Sequence, residues 1–197
     1  MISILDYGAG NLRSVENTLA AIGARYELVR DAEGLRRASK IILPGVGHFG
    51  QMMRALDDLE LRQALLERIR AGVLFLGICL GLQALFEASD EAPEARGLGL
   101  FLGRIEKFSN GLKVPHMGWD SLEKIGDSKL LEGAGDRPYV YFANSFYAPP
   151  VKEASAICDY GVRFAAVIES GNVYAVQFHP EKSGAIGLRI MSNFACL

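Results

Sequence analysis

Short apolar runs alternating with helix-periodic segments constrain the fold of this chain more than any other feature. Ile2–Leu5, Tyr26–Val29, Lys40–Leu43 and Val73–Ile78 are largely apolar at successive positions and too short to make a helix. Strands read this way when helices cover both faces of their sheet, because neither face then meets water. Between them, Leu12, Val15, Leu19 and Ile22 fall on one face of a helix from about Asn11 to Ile22, which stops at Gly23. A second helical pattern, Met53, Leu56, Leu59, Leu66 and Ile69, covers Met52–Arg70. Strand–helix alternation predicts an α/β fold with a parallel sheet and right-handed crossovers.

The texture changes from about Gly97. Leu98–Phe108, Tyr139–Phe142, Ala154–Cys158, Phe164–Ile168 and Val173–Phe178 are β-rich and separated by Gly, Asn and Pro turns, with Gly171-Asn172 a hairpin signal. Antiparallel additions to the sheet follow, and a helix from about Gly184 to Ala195 closes the chain. Glu87–Arg96 reads as the one mobile stretch. With no repeat, low-complexity segment or linker, the expectation is a single domain over residues 1–197. Its architecture is an open, mostly parallel central sheet flanked by helices, with antiparallel β additions in the C-terminal half.

Composition narrows the function. The chain has 197 residues, 50% of them hydrophobic and 22% charged, which excludes a disordered chain. Its 21 basic and 23 acidic side chains leave a net charge of −2, no footprint for nucleic acid or an anionic membrane. The three cysteines, Cys79, Cys158 and Cys196, have neither a paired framework nor metal-ligand spacing, so no metal or cofactor is expected. No export signal is read at the N-terminus. The apolar window Ala71–Phe86 is shorter than the ~20 residues of a membrane helix. A cytoplasmic protein is the expectation.

Three segments carry candidate chemistry. In Gly77-Ile-Cys79-Leu-Gly81, glycines flank a cysteine as in a nucleophile elbow, the sharp strand-to-helix turn that lifts one side chain above a sheet. At a helix N-terminus free N–H groups favour a thiolate, and the Leu80 N–H lies where it can meet an oxyanion. A lone cysteine in an apolar run also reads as simple packing. In Gln177-Phe-His179-Pro-Glu181, a strand ends with a histidine and an acid on the same face, a base and the group that orients it. The other histidines are less well equipped. His48 has no acid nearby, and His116 precedes Asp120 across Gly118. In Ile41-Ile-Leu-Pro44-Gly45-Val46-Gly47, a strand opens into a glycine-rich turn able to present a second N–H, or to be a plain turn. Gly8-Ala-Gly10-Asn-Leu-Arg13 lacks the third glycine of a dinucleotide fingerprint and reads as a structural turn or protein contact.

Together, Pro44–Gly47, Gly77–Gln83 and Gln177–Glu181 resemble, in order and position, the three signatures of the class I, triad-type glutamine amidotransferases. Asp6-Tyr-Gly-Ala9-Gly10-Asn11, Pro115-His-Met-Gly-Trp119 and Lys182 further resemble the glutaminase subunits of imidazole glycerol phosphate synthases. The sequence departs from that pattern at Asn144 and Phe146, where the family carries His and Tyr. The resemblance implies hydrolysis of L-glutamine to glutamate and ammonia by a Cys79–His179–Glu181 triad through a thioester. It implies an oxyanion hole of backbone N–H groups from Leu80 and from Gly45, Val46 or Gly47, and substrate contacts at Gln83, Asn144, Ser145 and Phe146. It also implies a heterodimer with a cyclase subunit, a (β/α)8 barrel that uses the ammonia in histidine synthesis. Ala9, Gly10, Asn11, Trp119, Tyr141 and Lys182 are the docking candidates, although Trp119 reads equally as core.

Overall fold

The computed structural model describes residues 1–109 and 111–197. Along the chain, β1 (Ile2–Leu5), α1 (Leu12–Ala21), β2 (Tyr26–Val29), α2 (Ala32–Arg37), β3 (Lys40–Gly45), α3 (Phe49–Asp58), α4 (Leu61–Arg70), β4 (Leu74–Cys79) and α5 (Leu80–Gln83) form the alternating half. Then come β5 (Phe86–Ser89), β6 (Phe101–Lys107), β7 (His116–Ser121), β8 (Glu123–Lys124), β9 (Tyr139–Asn144), β10 (Phe146–Tyr147), β11 (Ala154–Asp159), β12 (Arg163–Ser170), β13 (Val173–Val176) and α6 (Gly184–Cys196). The main sheet has eight strands in the order β2-β1-β3-β4-β13-β12-β11-β8. From β2 to β13 neighbours run parallel, and from β13 to β8 they run antiparallel. A three-stranded sheet (β10-β6-β5) and a two-stranded one (β7-β9) stand beside it.

Side-chain alternation divides the core in two. Leu5, Ile41, Leu43 and Phe75 face one side, with Leu35 of α2, Met52, Met53 and Leu56 of α3, and Leu61 and Leu65 of α4. Ile2, Ile4, Ile42, Leu76 and Ile78 face the other, with Val15 and Leu19 of α1 and Ile190, Met191 and Phe194 of α6. Both faces are covered, as the unbroken apolar runs require. Among the described residues, no helix is long and apolar enough to cross a membrane.

Several elements differ from the sequence reading. The segment expected as one helix over Met52–Arg70 starts at Phe49, where the His48 side chain accepts from the Gly50 N–H, and breaks after Asp58. Glu60 takes a left-handed conformation (φ 55°), which turns the chain so that α4 lays Leu61, Ala64 and Leu65 on the core while Leu59 stays exposed. The short helix α2, capped by the Asp31 carboxylate on Gly34 N–H, has too few residues to show a period. The stretch read as mobile starts as a strand, and Arg62 holds its far end through the Arg96 and Gly97 carbonyls. The hairpin expected at Gly171-Asn172 is present and joins β12 to β13, and the Asn172 amide also ties down the Ile69 and Val73 carbonyls.

Candidate active site

Strand register brings the three motifs together. β3, β4 and β13 are parallel neighbours, with Gly45 opposite Cys79 and Val176 opposite Ile78. Their carboxyl ends therefore open side by side, the usual place for a ligand in an open α/β sheet.

The chain turns sharply at Cys79, from the end of β4 into α5. Cys79 has φ 53° and ψ −106°, and with Glu60 it is one of two non-glycine residues at positive φ among those described. The flanking glycines are required by close backbone approach. A Cβ on Gly77 would lie 2.5 Å from the Gly81 carbonyl oxygen, and one on Gly81 would lie 2.1 Å from that of Leu43. Gly45 is pressed against the same turn, where a Cβ would meet that of Leu80 at 2.6 Å. Such strain persists only where surrounding packing enforces it.

Cys79 and His179 line one cavity of about 270 Å³, with Val46, Gly47, Leu80, Gln83, Asn144, Ser145, Phe146 and Lys182. That is just under the ~300–1,000 Å³ of drug-sized pockets and suits a metabolite of amino-acid size. A larger groove of about 650 Å³ lies at the amino end of β13. No cysteine or histidine lines it, and its Glu169 carboxylate already accepts from the Lys129 and Leu130 N–H groups. Volume alone thus does not select the site.

The side chains of His179 and Glu181 are both buried, and the ring Nδ1 lies 2.8 Å from Glu181 Oε1. β13 ends at Val176, and Pro180–Lys182 is a 3-10 turn. The pair therefore meets across a turn and not on one face of a continuing strand as its spacing had implied. Burial alone pushes the imidazole down, but the Cys79 sulfur and the Glu181 carboxylate outweigh it and raise it to about 10. Both neighbours thus favour the protonated ring. Burial and the nearby Asp120 push the Cys158 thiol far up, which leaves it inert.

The amide groups around the sulfur form one chain. The Gln83 Nε2 donates to the Phe146 carbonyl at 2.8 Å and to Gln177 Oε1 at 3.1 Å. Gln177 Nε2 donates to Cys79 Sγ at 3.6 Å. Asn144 Nδ2 also donates to the Phe146 carbonyl, at 2.9 Å, which leaves its Oδ1 buried and unpartnered. Gln83 and Asn144 thus keep acceptor oxygens for a ligand, so the cavity favours a donor-bearing molecule.

Other expected residues are placed as follows. Val46 and Gly47 line the cavity, whereas Gly45 packs behind it against Leu80. Trp119 is 54% exposed on β7, which decides against the core alternative. Its ring meets Tyr141 edge-on at 6.1 Å, and Lys182 Nζ sits 5.8 Å over the Tyr141 ring. Ala9 is exposed and Gly10 and Asn11 half-buried, but Asp6 is 8% exposed and spent internally on Gly8 N–H and Arg30. His48 is a helix cap, and His116 is stacked between Phe142 and Tyr160. Two residues at the site escaped the sequence reading. Glu91 lines the cavity while accepting from Phe49 N–H at 2.7 Å, and Gln177 touches the sulfur. A glutamine inside an apolar strand end was the available signal for the second; nothing local marks Glu91. Among the described residues, no group of three or more His, Cys, Asp or Glu side chains is placed to hold a metal ion.

An elbow cysteine, an imidazole and a buried carboxylate thus meet at the rim of a parallel sheet, the set of groups that cysteine-dependent acyl transfer calls for. The pattern of the class-I glutamine amidotransferases matches residues 3–196, and the chain belongs to that family. It is 50% identical over 195 residues, 98% of this chain and 97% of the relative, to imidazole glycerol phosphate synthase subunit HisH of Methanothermobacter thermautotrophicus. To the HisH of Deinococcus radiodurans it is 46% identical over 198 residues, 98% of this chain and 92% of that one. Within the family, its sequence groups with the HisH subunits. Two solved structures share the fold. A glutamine amidotransferase, 21% identical, aligns with a TM-score of 0.78 over 100% of this chain and 99% of its own. PurLQS from Thermotoga maritima, 20% identical, gives 0.77 over 98% and 96%.

Proposed function

We propose that residues 1–197 act as one glutaminase domain, the ammonia-producing subunit of a cytoplasmic imidazole glycerol phosphate synthase in histidine biosynthesis. The observation that carries this reading is the convergence of Cys79 and the His179–Glu181 pair on one small cavity at the ends of neighbouring strands. In the reaction, the Cys79 sulfur adds to the side-chain amide carbon of L-glutamine. The oxyanion forms beside the Leu80 N–H and an N–H of the Val46–Gly47 turn, each such donor being worth roughly 3–4 kcal/mol to the transition state. His179 already carries a proton, which it gives to the departing ammonia as the thioester forms. It then takes a proton from the water that attacks the thioester, releasing glutamate and restoring the sulfur. Glu181 holds the ring in orientation and stabilises its charged form. Gln83, Asn144 and the Ser145–Phe146 backbone seat the substrate, and Glu91 supplies a negative charge for its ammonium group.

The ammonia passes to a cyclase subunit, a (β/α)8 barrel, bound as a heterodimer and using it to form imidazole glycerol phosphate and an aminoimidazole carboxamide ribotide. Lys182 belongs both to the cavity wall and to the aromatic patch with Tyr141 and exposed Trp119, so a partner seated there lies at the cavity mouth. Aromatic anchors beside a cation suit an interface. Glutamate release by the chain mixed with its cyclase tests the reading. Turnover is expected with the native chain and none with Cys79→Ala; turnover retained by that variant overturns it.

A further inference from the structure

Gln177 is fully buried at 0% exposure, where an uncommitted carboxamide is costly, and it has no part in the triad. Its orientation follows from the groups around it. The Phe146 carbonyl oxygen can only accept, so the Gln83 atom 2.8 Å from it is the NH2 group. The same NH2 lies 3.1 Å from one end of the Gln177 carboxamide, which must then be the oxygen. The other end, 3.6 Å from the Cys79 sulfur, is therefore the NH2 group and donates to it. No flip of either amide satisfies all three contacts.

We infer that Gln177 is a catalytic residue of this site, a neutral donor that holds the Cys79 sulfur and stabilises it as the thiolate. The inference rests on the reading of Cys79 as the nucleophile and adds a group to it. A hydrogen bond to an anion is about twice as strong as one between neutral groups, so this donor favours the charged sulfur over the thiol. A carboxamide does so without burying a further charge in the apolar end of β13. The other ionisable groups around the sulfur are the His179 ring, backed by Glu181, the Tyr7 phenol, and Lys182 and Glu91 on the cavity wall. Through Gln83 the donor is also tied to the Phe146 carbonyl, so the segment that faces the substrate fixes the geometry at the sulfur.

The test is alkylation of the full chain by iodoacetamide at pH 7 and pH 9, followed at Cys79 by peptide mass spectrometry. Gln177→Leu removes the donor, and Gln177→Glu keeps the shape while placing an acceptor against the sulfur. Both are expected to slow Cys79 alkylation at pH 7 by about tenfold or more, Gln177→Glu the more strongly, with the deficit narrowing at pH 9. Cooperative thermal unfolding shows that each variant is folded. Unchanged alkylation at pH 7, or an equal loss at both pH values, overturns the inference and leaves Gln177 a packing residue. A native Cys79 that resists alkylation at both pH values overturns the nucleophile reading as well, which separates the two failures.

Discussion

Replacing Cys79 by glycine should give a protein at least as stable as replacing it by alanine, the reverse of the usual order. Both variants lose the sulfur and its Gln177 contact, so they differ by one Cβ. At an ordinary position glycine is less stable than alanine by about 0.5–1 kcal/mol from backbone entropy, and by up to about 0.8 kcal/mol from lost apolar burial. Cys79 has φ 53° and ψ −106°, outside the region that residues bearing a Cβ adopt. Holding such a residue there costs about 1–3 kcal/mol, and the ψ value places this turn towards the upper end. Relief of that strain exceeds the two penalties by about 1 kcal/mol, equivalent to about 2–4 °C in Tm for a chain of this size. Urea unfolding followed by far-UV circular dichroism measures the difference. A Cys79→Ala protein more stable than Cys79→Gly by 1 kcal/mol or more would refute the argument that the elbow is strained.

Three further outcomes follow from the same geometry. His116 is buried in an aromatic stack and pushed below its usual 6.5, with burial outweighing Asp120. The unfolded chain therefore takes up a proton that the folded one resists, and stability falls as pH drops below 6.5. His116→Phe should flatten the fall in Tm between pH 7 and pH 5, and parallel profiles would contradict this. His179 is raised instead, so its stabilisation is complete below 6.5 and lost as pH rises through about 10. Glu181→Gln should bring that alkaline loss to lower pH and cut turnover by about 100-fold or more; an unchanged alkaline limb would remove Glu181 as the partner. Tyr141→Ala or Lys182→Ala should weaken binding of the cyclase measured by calorimetry, and unchanged affinity in both would strike this patch from the docking face.

The sequence made legible what depends on neighbouring residues along the chain. β1 and β2 could be bounded because their short runs end at the charged residues Asp6 and Arg30, and the elbow could be read because Gly77 and Gly81 stand two residues either side of Cys79. What depends on distant contacts was not legible. The break at Glu60 lies inside an uninterrupted helical pattern, and only the packing of α4 on the core requires it. β7 is polar and half-exposed, and its strand character comes from pairing with β9. Glu91 fell in a stretch without a local pattern because its partner, Phe49 N–H, is 42 residues away. The His179–Glu181 spacing pointed, by way of strand alternation, to two side chains that do meet, although a 3-10 turn brings them together.

A diazo-ketone analogue of glutamine, incubated with the chain in the presence of its cyclase, places the whole account on a single sulfur. Peptide mass spectrometry should find one adduct per chain, on Cys79, and none after Cys79→Ala or His179→Ala. An adduct on Cys158 or Cys196, or none at all while the cyclase is bound, would contradict it.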